Sequence, residues 1–125
     1  MRRLAVTVMV MAGTLLAGPA VGRAPAATAG NGAPRYDVPS GFERCSHARA
    51  WHGFFKWASE QRTSCRRTAD FMREYAEHAD APSMPRRVGG YRCRIHYWRN
   101  AEGDIYASRH VCSRGSVTIR FYGMV

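Results

Sequence analysis

Cys93 and Cys112 are equidistant from Glu102-Gly103, inside the turn-forming run from Asn100 to Asp104. That symmetry constrains the chain more than any other feature. The flanking stretches are rich in Tyr, Ile and Trp, the composition of strands around a hairpin turn. Folded about that turn, the two cysteines fall opposite each other. Opposed cysteines on antiparallel strands can bridge when they form a non-hydrogen-bonded pair. A second turn, Ser113 to Ser116, is centred on Arg114-Gly115. It sets Val117 opposite Cys112, Ile119 opposite His110 and Phe121 opposite Ser108. The expected unit is a three-stranded meander.

Side chains alternate between the faces of a strand. One face collects Tyr91, Cys93, Ile95, Tyr97, Tyr106, His110, Cys112, Val117, Ile119 and Phe121. The other collects Arg92, Arg94, His96, Trp98, Arg109, Arg120 and Tyr122, together with Ile105, Ala107, Val111 and Thr118. The first is apolar and has to be covered; the second is basic and aromatic. A one-residue slip would scramble both sets.

The cover is a helix in "TSCRRTADFMREYAEHAD". Thr63 or Ser64 caps it. Cys65, Thr68, Ala69, Met72, Tyr75 and Ala76 recur at helical spacing, and Arg66–Asp70 and Arg73–Glu77 are four apart on its polar side. Pro82 and Pro85 stop the helix near Ala79, and "APSMPRRVGG" returns the chain to the sheet. The stretch from Gly41 to Gln61 fits two periods. Trp51, Gly53, Phe55 and Trp57 alternate as a strand, whereas Ala48, Trp51, Phe55 and Ala58 fit a helix. The strand is preferred, as an added edge, with Cys45–Cys65 as the second disulfide. The fold class expected is α+β: one helix on a three- or four-stranded antiparallel sheet, stapled by two disulfides.

The amino end has the three parts of an export signal. Arg2 and Arg3 precede an apolar run from Leu4 to Ala17, and Ala27-Thr28-Ala29 offers a cleavage site. The run is too short to span a membrane. The expected organisation is a signal over residues 1–29, a flexible terminus over 30–35 and a single domain over 36–125. Export agrees with four cysteines in so short a chain. A zinc site is disfavoured, since no two cysteines have C-x-x-C spacing.

Arg2, Arg3 and Arg23 belong to the signal, so the remainder holds 16 of the 19 basic residues against all nine acids, a formal +7. Only Lys56 is a lysine. Such a balance concerns partners rather than fold. Arg92, Arg94, His96, Trp98, Arg109, Arg120 and Tyr122 are the candidate binding residues. The matching partners are an anionic polymer, either nucleic acid or a teichoic-acid-like wall polymer, or an anionic cell surface. His96 near Arg109 admits a ribonuclease-like enzyme as the alternative, but general acid–base chemistry needs a second group and the face carries no carboxylate. A protease-inhibitor-type interaction protein, using the "APSMPRR" loop, is the other alternative. His110 is expected in the core, with Ser108 beside it. No catalytic residue, metal or cofactor is assigned.

Thr63-Ser64-Cys65 with Ala69 behind it, Gly90 to Cys93, and Val111 to Gly123 together resemble short secreted proteins of high-GC Gram-positive bacteria. In these a T-S-C-x-x-A-type motif opens a helix and cysteine-bearing strands end the chain. Many have Pro-Phe after the TSC, where this chain has Arg66-Arg67. The resemblance covers about residues 62–122. It implies export and a disulfide-stapled helix-on-sheet domain, and no activity.

Amino-terminal sequencing of exported protein should begin near Gly30. Recovery of the intact chain in membranes would refute the signal.

Overall fold

The computed structural model describes residues 34–80 and 83–124, and Gly18 alone among the earlier ones. The export signal therefore lies outside the described residues, as do Ala81 and Pro82 of the return loop. The elements run β1 (Glu43–Cys45), β2 (Phe55–Gln61), α1 (Cys65–His78), β3 (Arg87–Val88), β4 (Tyr91–Arg99), β5 (Ile105–Arg114) and β6 (Val117–Met124). The strands form one antiparallel sheet in the order β1-β2-β6-β5-β4-β3, with α1 packed on one face. The α+β class stands, but the sheet has six strands rather than three or four.

The meander is its centre. Cys93 pairs with Cys112, and the register continues through Trp98 opposite Ala107 before an irregularity next to Arg99. The Cys93 N–H is spent on Arg86 O, 2.8 Å away on the β3 side, so the cysteine pair is a non-hydrogen-bonded one. Both disulfides form, Cys93–Cys112 and Cys45–Cys65. The second turn differs from expectation. Arg114 pairs with Val117, which makes Gly115-Ser116 the two-residue loop. Gly115 has φ +57°, and a two-residue hairpin loop favours glycine at its first position. Consequently Ile119 faces Cys112, Phe121 faces His110 and Gly123 faces Ser108. The shift is two residues, so every side chain keeps its face.

The segment expected as an added edge is divided. Phe55–Gln61 is a strand, but an interior one between β1 and β6. Residues 51–54 are a tight turn, with Trp51, His52 and Gly53 all left-handed at φ 52°, 54° and 83°. The left-handed conformation costs ~1–2 kcal/mol at each non-glycine residue. Three aromatic contacts oppose that cost: Trp51–Phe54 at 5.0 Å, Trp51–Phe55 at 5.3 Å and Phe54–Phe55 at 5.2 Å between centroids. Such pairs contribute ~0.5–1.5 kcal/mol each. Packing therefore holds a turn that backbone preference resists.

Ser64 caps α1, its Oγ accepting from Arg67 N at 3.2 Å. The helix buries Thr68, Phe71, Met72 and Tyr75; Phe71 was absent from the expected stripe. Asp70 pairs with Arg73, three residues on, rather than with Arg66. The core centres on Phe121, which meets Tyr75 at 5.1 Å, Phe55 at 5.2 Å and His110, ring parallel, at 4.7 Å. Gly123 is required beside it. A Cβ there would lie 2.5 Å from Phe54 and 2.7 Å from Ser108 Oγ.

Peptide mapping without reduction should return Cys45–Cys65 and Cys93–Cys112. Replacing Cys93 and Cys112 together by Ser should lower stability by ~2–5 kcal/mol in urea unfolding. A bridge between Cys93 and Cys65 would refute the sheet register.

Candidate functional site

Two places among the described residues gather chemically capable side chains. One is buried beneath the helix. The other is the outer face of the sheet.

The buried group is Ser108, His110 and Tyr75, each no more than 1% exposed. The Tyr75 hydroxyl donates to Pro85 O at 2.9 Å. Its oxygen is then free to accept from His110 Nδ1–H, also at 2.9 Å. That leaves His110 Nε2 as an acceptor for the Ser108 hydroxyl at 2.8 Å. Every polar atom of the imidazole is satisfied in its neutral form. Burial pushes the His110 pKa down to about 3 and raises that of Tyr75. A serine bonded to a histidine has the form of a nucleophile and its base, but both residues are buried in the core. Their hydrogen bonds tie β5 to α1 and, through Tyr75, to the segment before β3.

The outer face is built by rows that run across the strands. His96, Arg109, Tyr122 and Lys56 are successive cross-strand partners on β4, β5, β6 and β2. Arg94, Val111, Arg120, Ser59 and Arg44 form the next row, and Arg87, Arg92, Ser113, Thr118 and Gln61 the one after. Neighbouring strands are ~4.8 Å apart and successive same-face positions ~6.7 Å. Arg92, Arg94 and His96 are exposed, and Trp98 and Arg109 half-buried. The Arg109 guanidinium lies 5.8 Å over the Trp98 ring, and His96 meets Trp98 edge-on at 4.5 Å.

The β6 end of this face does not stand open as the sequence suggests. Tyr122 is only 2% exposed, and the Arg120 side chain 12%. They are covered by an arm formed by residues 34–37. The Tyr36 hydroxyl donates to Ala58 O at 2.6 Å, and its ring stacks on Trp57 with Arg44 4.2 Å from its centroid. The Asp37 carboxylate receives Arg120 Nη2 at 2.9 and 3.1 Å and the Tyr122 hydroxyl at 2.7 Å. Arg120 Nη2 also donates to Tyr122 Oη at 2.6 Å. The face therefore has a carboxylate after all, contributed by a segment remote in sequence. The Tyr122 hydrogen bond, together with Arg120 and against the cost of burial, holds the Asp37 carboxyl below its usual range. Burial foremost, then Asp37, raises the Tyr122 phenol.

A bulge prepares this end. Lys56 faces Tyr122 and Ser59 faces Arg120, so Trp57 and Ala58 share one partner position. Trp57 takes φ +55°, at a cost of ~1–2 kcal/mol. The extra residue places its ring on the outer face, 5.8 Å from Tyr122 and under Tyr36. Trp98, Tyr122, Trp57 and Tyr36 then form a continuous aromatic band across four strands and the arm. Trp57 was missed in the sequence, because strict alternation assigns it to the other face.

No family model, no curated protein and no solved structure matches this chain. Two disulfides indicate an oxidising compartment. No helix among the described residues is long and apolar enough to cross a membrane.

The buried histidine makes acid stability measurable. Unfolded, its imidazole takes a proton at the ordinary 6.5; folded, only near 3. The stability it contributes is thus complete above ~6.5 and is lost as pH falls toward 3, by up to ~1.4 kcal/mol per unit. Urea unfolding of wild type from pH 7 to 4 should show this decline, and His110→Gln should flatten it. An equal slope in both proteins would refute the neutral buried imidazole.

Proposed function

We propose that this is a secreted, cationic, non-enzymatic domain that holds an anionic polymer on the open end of its outer sheet face. One observation carries the reading. Arg92, Arg94, His96 and Arg109 are clustered on two adjacent strands, and the described residues contain no ion pair to any of them. Arg87 lies directly opposite Arg92. Like charges placed opposite each other destabilise a sheet. A purely solvated face would intersperse the nine acids of the chain here; α1 does so, with Asp70 beside Arg73. An anionic partner would turn that repulsion into binding free energy. Trp98 adds an aromatic ring beside the cluster, a surface on which bases or sugar rings stack. The export signal and the resemblance to small exported proteins support an extracellular location.

A ribonuclease-like activity has less support. Asp37 is the nearby acid, and it is engaged by Tyr122 and Arg120 and held ionised by them. It is a weak base and supplies no proton near neutral pH.

The test is retention on heparin and on single-stranded RNA as a function of salt. Arg92→Gln, Arg94→Gln and Arg109→Gln together should shift elution to much lower salt. The slope of log K against log salt should fall by ~2, with the thermal midpoint held or slightly raised, since Arg92→Gln relieves the repulsion from Arg87. The control set on the exposed side of α1, Arg66, Arg67 and Arg73 to Gln, should have a small effect. Equal loss from both sets would reduce the binding to net charge. Degradation of the RNA would replace this reading with the enzyme.

A further inference from the structure

The arm over β6 satisfies its site incompletely. Arg120 spends Nη2 on Asp37, yet its Nε is buried with no partner. Ser59 is 1% exposed, and its Oγ is likewise buried with no partner. The two residues are direct cross-strand partners on the outer face. Ser59 lies between the two anchors of the arm: Tyr36 is bonded to Ala58 O next to it, and Asp37 to Arg120 opposite it. A buried donor without a partner costs ~1–3 kcal/mol. Two at one place, under a segment that supplies a carboxylate, call for an explanation beyond docking of that segment.

We propose that Arg120, Tyr122 and Ser59 form a second anion subsite, which takes a phosphodiester of the polymer, and that Asp37 closes it from within the chain. The donors that Asp37 leaves idle support the reading. Held by the arm, its carboxylate engages Nη2 and the Tyr122 hydroxyl and leaves Nε–H and the Ser59 hydroxyl without a partner. The Nε–H and Nη2–H bonds of a guanidinium form a coplanar fork that takes two oxygens of one anion, and a phosphodiester free of the arm's tether can use it. The subsite adjoins the open cluster along both rows, since Tyr122 pairs with Arg109 and Arg120 with Val111 beside Arg94. A polymer held by Arg92, Arg94 and Arg109 would thus present its next group to Arg120 and displace the arm. This deepens the polyanion reading and rests on it for the identity of the ligand.

Two variants open the subsite by different routes. Asp37→Asn removes the competing charge, and Tyr36→Ala removes the anchor on Trp57 and Ala58. Each should bind a single-stranded oligonucleotide several-fold more tightly than wild type, and adding Arg120→Gln should cancel the gain. Inorganic phosphate should saturably shift the Tyr122 and Arg120 NMR signals in Asp37→Asn at concentrations that leave wild type unaffected. Wild-type affinity in both opened variants, with no phosphate response, would overturn the subsite while the open cluster could still bind. A phosphate response in a protein that retains no polymer would uphold the subsite and refute the polyanion reading instead.

Discussion

Cys93 and Cys112 are bonded across a narrow pair between β4 and β5, and that bond fixes the faces along the two strands up to the irregularity beside Arg99. A sheet has only two ways to assign its side chains, and a slip of one residue exchanges them. With the cysteines joined beneath α1, Tyr91 must turn toward the helix, and Arg92 and Arg94 must turn away. β6 inherits the assignment through its ladder with β5. It places Ile119 and Phe121 under the helix and Arg120 and Tyr122 outside. The aromatic core around Phe121 and the basic rows outside are two sides of one constraint. Neither could be lost without the other.

This explains why the meander was legible in the sequence and the rest was less so. The turn at Gly103 and the positions of Cys93 and Cys112 are local signals. The turn at Gly115 was misplaced by one residue in its centre, which moved β6 by two, and parity hid the error. β2 was harder. Its strand character shows from Phe55 on, but its neighbours on both sides depend on β6 returning between β2 and β5, a non-local event. Trp57 was illegible for a different reason. Its side is set by a bulge and by a left-handed backbone that a tryptophan rarely adopts, and nothing in the local sequence announces either. The role of Asp37 was illegible because its partners are 83 and 85 residues away.

Idle polar atoms and facing cations gather on the outer face. Arg120 and Ser59 have unpartnered polar atoms there, and Arg87 faces Arg92. Backbone strain is spread more widely: Trp57 is left-handed on this face, but so are Trp51 and His52 in the turn before β2 and Arg62 just after it. Beneath the helix His110, Tyr75 and Ser108 are mutually satisfied, though Thr68 Oγ1 has no partner. Strained positions persist where surrounding structure over-determines them, and they concentrate at working sites. In this fold the disulfides and the aromatic core supply the over-determination, and the outer face carries the unpartnered Arg120 and Ser59 atoms together with the strained Trp57.

On the polyanion reading proposed above, the arm would set what kind of ligand the outer face accepts. Asp37 is tethered a few residues from β1, so its carboxylate competes at an effective concentration on the order of mM. A free monovalent anion below that level does not displace it, particularly as Tyr36 must leave Trp57 at the same time. A polymer is in a different position. Were Arg92, Arg94 and Arg109 to hold one part of it, its next charged group would itself be tethered near Arg120, and the two anions would compete on equal terms. The polymer's group would also engage donors that Asp37 leaves idle, which would tip the balance toward it. Discrimination between a long polyanion and a small one would then need no pocket shaped to the monomer. It would follow from covering half of a basic face with an anion of the chain's own.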